Sequence, residues 1–180
     1  MSDELDELRE HSEEAAQDAR LKPVSFTMAV LAVLVAVVSL LGHRAHTEEL
    51  LLQNKATDNW SFYQAKNIRR HTYELFLDML TVSEPKDQQT AEKFREKYKR
   101  EIERYESEQK GMEEEGHKLE RETALESIKA DRFDLGEVFL EIALVISSIT
   151  LMTRRALYWK LGIVAGLTGV SVALTALLVH

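Results

Sequence analysis

The sequence predicts an all-α membrane protein: three transmembrane helices, with a long extramembrane antiparallel helical hairpin of coiled-coil character between spans one and two. Three observations carry this. Apolar residues fall in blocks, so 30% charged residues and a mean hydropathy of -0.27 coexist with long runs free of charge. Only two prolines and seven glycines interrupt 180 residues, which leaves little material for turns. A seven-residue apolar repeat runs through the polar middle of the chain.

Residues 1–22 form an acidic N-terminal segment with eight acids against three bases. A secretory leader would be short and basic, so the apolar run that follows is expected to remain as an anchor. That run, "PVSFTMAVLAVLVAVVSLLG" at 23–42, carries no charge. It has about the 20 residues that a helix needs to cross hydrocarbon. Pro23 suits the first turn of a helix, where its missing N–H is not needed.

Residues 43–133 are expected to form the hairpin, with its turn near "SEPKD" at 83–87. In its second arm Ala91, Tyr98, Tyr105, Met112 and Leu119 recur every seven residues, with Phe94 and Ile102 between them. Gln109 and Gly116 dilute this seam. Runs such as "EKFREKYKREIERYE" place opposite charges three and four residues apart, the pattern of a solvated helix face. In the first arm Trp60, Phe62, Tyr63, Ile68, Tyr73, Leu75, Phe76, Met79 and Leu80 spread around more than one face. A helix apolar on two sides needs two neighbours. The hairpin partner supplies one and a second protomer the other, so Trp60, Tyr63 and Phe76 are expected at a contact between chains.

The second span is assigned to 134–153 and the third to 157–179. From Val138 to Thr153 the most apolar stretch of this span has only 16 residues, too short for a core of roughly 30 Å at 1.5 Å per residue. Completing it recruits residues back to about Asp134, which leaves Asp134 at the interface, Glu137 a turn inside and Glu141 about 10 Å deep. Tyr158 and Trp159 form an interfacial belt at the start of the third span. Arg154, Arg155 and Lys160 crowd the link between spans two and three, which favours a cytoplasmic position for it. The N-terminus is then cytoplasmic, and the hairpin and C-terminus are periplasmic.

Small residues form two stripes, each within about 80° of helix circumference. One is Ser25, Ala29, Ala32, Ala36 and Ser39; the other is Gly162, Gly166, Gly169, Ala173 and Ala176. Both are expected to pack helix against helix, since small residues admit close approach where hydrophobicity gives no drive. Asp134, Glu137, Glu141 and Ser148 share about 60° of the second span. Repeated around an oligomer axis they would make ion-lining carboxylate rings; singly, they would pair with Arg44, Arg132 or His43 at the membrane edge. His43 and His46 lie three residues apart, but no third ligand accompanies them, so no metal is expected. Thr168, Ser171 and Thr175 share one face of the third span, where hydroxyls commonly bond back to carbonyls.

The stretches "LLQNKATDNWSFYQAKNIRRHTYEL" and "DRFDLGEVFLEIALVISSITLMTRR" resemble an uncharacterised bacterial family, domain of unknown function 4337. The resemblance covers nearly everything beyond about residue 20 and is most specific from Asn54 through Arg69. It implies a bacterial membrane protein with three spans, and it brings no activity and no functional residues. The residues agree in their silence on chemistry. Cysteine is absent, which excludes disulfides and thiolate chemistry. No P-loop, nucleophile elbow, HExxH or dinucleotide fingerprint appears. A net charge of -8 argues against nucleic acid as a partner. The expectation is therefore a non-enzymatic protein without cofactor. It is a homo-oligomer in the bacterial inner membrane, acting as a scaffold or accessory subunit of a larger membrane complex. The alternative is an oligomeric cation channel or ion-binding protein using the acids of the second span.

Overall fold

The computed structural model describes the backbone of residues 2–83 and 85–179 and the side chains from residue 21 onward within those ranges. Three helices account for nearly all of it: α1 (Ser2–Val82), α2 (Gln88–Thr153) and α3 (Ala156–Ala176). No strand occurs among the described residues. All three helices are long and apolar enough to cross a membrane.

α1 continues unbroken from the apolar run at 23–42 into the polar stretch after it. Pro23 accordingly lies inside α1 and not in its first turn, which corrects the reading of Pro23 as a helix start. A proline within a helix removes one backbone donor, and Thr27 Oγ1 donates to the Pro23 carbonyl at 2.8 Å. The chain divides into two compact units, one made by the chain up to Thr47 and from Leu125 onward, the other by Glu48–Ala124.

In the first unit every helix repeats its buried positions at intervals of three and four or of seven. α1 buries Val24, Leu31, Val38 and Ala45, while α2 buries Ala130, Phe133, Gly136, Leu140, Ala143, Ser147 and Thr150. α3 buries Gly162, Gly166, Gly169, Ala173 and Ala176. Such spacing is the mark of left-handed knobs-into-holes packing. The α2–α3 crossing is backbone against backbone. A Cβ at Gly136 would meet the Gly169 carbonyl at 2.9 Å, and one at Gly169 would meet the Gly136 carbonyl at 2.7 Å. A Cβ at Gly162 would overlap the Ser147 hydroxyl, and one at Gly166 would strike Leu31 Cδ2 at 2.7 Å. Four glycines thus let three helices close without a large apolar core.

In the second unit the arms 48–82 and 88–124 run antiparallel. Asn59 Nδ2 donates to the Met112 carbonyl at 2.6 Å, Lys66 bonds Glu108, Tyr73 stacks on Tyr98 and Tyr105, and Arg95 Nη2 donates to the Leu80 carbonyl at 2.8 Å. Leu52, Ala56, Ala91, Tyr105, Gln109 and Leu119 are buried between the arms. Gln109 belongs in this seam, because its Nε2 donates to Asn67 Oδ1 at 3.2 Å. Gly116 belongs there too, as the notch into which Trp60 fits: a Cβ would stand 2.9 Å from its ring. Asp87 starts α2 as its cap, accepting the Gln89 and Thr90 amides at 3.0 and 3.2 Å and the Thr90 hydroxyl. The Thr90 bonds, with the Gln89 amide, hold its carboxyl below the ordinary aspartate value.

Candidate functional site

Among the described residues no three metal-type side chains converge. The chemistry-bearing feature is the acidic face of α2. Asp134 is exposed, and its Oδ2 lies 3.0 Å from His46 Nε2. Glu137 is half-buried; Glu141 and Ser148 are exposed, and Ser148 Oγ donates to the Val145 carbonyl at 2.7 Å. Arg132 does not join these acids. Its Nη1 donates to the Thr175 carbonyl at 2.8 Å, near the C-terminal end of α3, where a cation opposes the helix dipole.

The depth of Glu141 follows from packing. Gly42 of α1 lies beside Phe133 and Asp134, and Leu31 and Ala143 meet over Gly166. Glu141 falls between those levels, alongside the uncharged stretch 23–42 of α1. Its neighbours on the outer surface of α2 are Val138, Ile142 and Val145, 49%, 45% and 61% exposed. The chain therefore presents a carboxyl group outward from the apolar part of a span-length helix.

The other singled-out residues divide cleanly. Gly162, Gly166, Gly169 and Ala173 face α2 and α1. Ser25, Ala29, Ala32 and Ala36 are exposed and Ser39 half-buried, because α1 turns the larger Leu31 and Val38 inward. The notch at Gly166 of α3 is what accepts Leu31. Trp60, Tyr63 and Phe76 are engaged within the chain. Trp60 Nε1 donates to Glu120 Oε1 at 2.9 Å, and its ring meets Tyr63 and His117 edge-on at 5.5 and 5.4 Å. Phe76 stacks on Tyr98 at 5.7 Å. Bonds from His117 and Trp60 hold the Glu120 carboxyl below the ordinary glutamate value.

What α1 leaves uncovered is a different row. Ile68, Leu75, Met79 and Val82 are 67%, 63%, 62% and 87% exposed, and with Ala65 and Thr72 they follow a three–four spacing. On α3 the exposed Thr168, Ser171 and Thr175, with Val164, Leu167 and Val172, line a shallow groove of about 460 Å³. Sequence reasoning had the signal for the first row in its heptad spacing, but the aromatic residues beside it are more conspicuous.

No curated protein and no solved structure matches this chain. A family model matches residues 20–179, nearly all of the described chain, and the chain belongs to that family, described as a domain of unknown function, DUF4337.

Proposed function

We propose that the chain is a non-enzymatic integral membrane protein of the bacterial inner membrane, a homo-oligomer serving as scaffold or accessory subunit of a larger membrane assembly. The observation that carries this is the row Ile68, Leu75, Met79 and Val82, exposed at regular spacing on a helical unit rich in charged residues. The reading places that unit outside the bilayer as a hairpin. There an apolar row at coiled-coil spacing is covered by another helix rather than by water. Each large apolar side chain buried contributes about 1.5–3 kcal/mol. Arg154, Arg155 and Lys160 support a cytoplasmic N-terminus with the hairpin and C-terminus periplasmic.

The test is mass in mild detergent by chromatography with light scattering. The unaltered protein should be a defined oligomer, and Leu75→Glu with Met79→Glu should reduce its size or broaden its distribution while helicity is kept. A monomeric unaltered protein would end the reading.

A second reading, an oligomeric cation channel or ion-binding protein, draws support from the outward carboxyl of Glu141 within an apolar span. Liposomes test it: a conducting protein whose cation flux falls with Glu141→Gln would favour this reading. The scaffold reading expects no flux above empty liposomes, with Glu141→Gln changing assembly instead.

A further inference from the structure

The geometry points to a head-to-tail contact between copies of this chain, in which the acidic face of α2 on one copy fills the hydroxyl-lined groove of α3 on the next. It rests on the oligomeric reading above and names the surface that reading lacks within the membrane.

Across the α2–α3 crossing, Gly136 stands opposite Gly169 and Ala173, Leu140 opposite Gly169, and Ser147 opposite Gly162. The same antiparallel register puts Asp134 at the depth of Thr175, Glu137 at that of Ser171 and Glu141 at that of Thr168. The acids step by three and then four residues, and the hydroxyls step by four and then three in the opposite direction, so the rows match level by level. Within one chain they cannot meet. The hydroxyl row lies on the side of α3 away from its buried glycines, and Glu141 is exposed on α2. A rotation about an axis along the membrane normal changes no residue's depth. The acids of one copy therefore stay level with the hydroxyls of its neighbour.

Chemistry favours this occupant over lipid. A carboxyl group facing hydrocarbon is unsolvated, whereas serine and threonine on a neighbouring helix supply hydrogen bonds. The three hydroxyls now donate to carbonyls of their own helix: Thr168 to Val164, Ser171 to Leu167 and Thr175 to Val172. Each oxygen keeps acceptor capacity for a carboxylic acid, and each proton can turn to a carboxylate, so the contact is satisfied in either protonation state. Val138, Val145, Val164 and Leu167 flank the polar rows on the two faces and give an apolar surround. Because two different surfaces meet, the contact repeats around a ring instead of closing a two-fold dimer.

The chain has no cysteine, which makes the test direct. Val145→Cys and Val164→Cys in one chain place thiols one turn from Glu141 and Thr168, at matching depth and pointing away from each other within a copy. Mild oxidation in membranes should give a ladder of dimers, trimers and larger covalent species. Either single variant should remain largely monomeric. Replacing Thr168→Val and Ser171→Ala in the same background should lower the ladder yield by roughly threefold for each hydrogen bond lost. A double variant that does not cross-link although the unaltered protein is oligomeric would overturn this contact and leave the oligomeric reading standing. Dimers from Val145→Cys alone, equal to those of the double variant, would replace it with α2 against α2. A monomeric unaltered protein would remove both.

Discussion

Two glycines in the polar unit, five residues apart, have opposite surroundings. Gly111 has nothing within 4 Å of where a Cβ would stand, whereas at Gly116 the Trp60 ring and Asn59 amide lie 2.9 Å away. Trp60 cannot retreat freely, because Glu120 and Gly116 fix it from two sides. Gly111→Ala should therefore stabilise the protein by about 0.5–1 kcal/mol through helix propensity alone. Gly116→Ala gains the same propensity but overpacks the notch, and should be a net loss of about 1 kcal/mol. Thermal melts followed by Trp60 fluorescence and by circular dichroism check both signs. A stabilising Gly116→Ala would mean the notch is loose. In the sequence Gly116 falls on the seven-residue seam and Gly111 does not, but nothing local says what stands against the missing side chain. The aromatic ring that distinguishes them arrives from 56 residues earlier in the chain.

At the scale of elements, the two arms of the polar unit are joined by polar bonds as much as by apolar burial. Glu108 is held below the ordinary glutamate value of 4.5 by its bond from Lys66, and Glu120 below the same value by bonds from His117 and Trp60. A carboxyl whose folded value is depressed adds stability that is fully present above its unfolded value and is lost as pH falls through the folded one. The melting midpoint should be flat from neutral pH down to about 5 and decline below about 4.5, and Glu108→Gln should blunt that decline. A midpoint unchanged down to pH 3 would show that these bonds contribute nothing in solution. The helical character of the chain is legible in its sequence, because few prolines and glycines interrupt it and apolar residues segregate into blocks. Which face of each helix packs is less legible. The glycines of α3 can be seen as a stripe, but nothing local says that α1 turns Leu31 inward and its alanines outward. That choice depends on the notch at Gly166, on another helix. The acidic face of α2 is likewise visible by period. The depth and outward aim of Glu141 need Gly42, Leu31 and Ala143 as markers.

For the whole molecule, orientation is the property to establish. Single cysteines at Ser107 and Ala156, both exposed positions in a cysteine-free chain, report on the two sides. A membrane-impermeant thiol reagent applied from the periplasm should label position 107 and leave 156 unmodified. Labelling of 156 alone would invert the proposed topology, because the basic link would then lie outside.

The link between α2 and α3 is only Arg154 and Arg155, and Arg154 adopts a left-handed backbone with φ of 55°. In a chain that enters a membrane as it is made, so short a link would let α2 and α3 enter together as one closed hairpin. The buried hydroxyl of Ser147 would then be covered from the start by α3 at Gly162, where no side chain stands in its way.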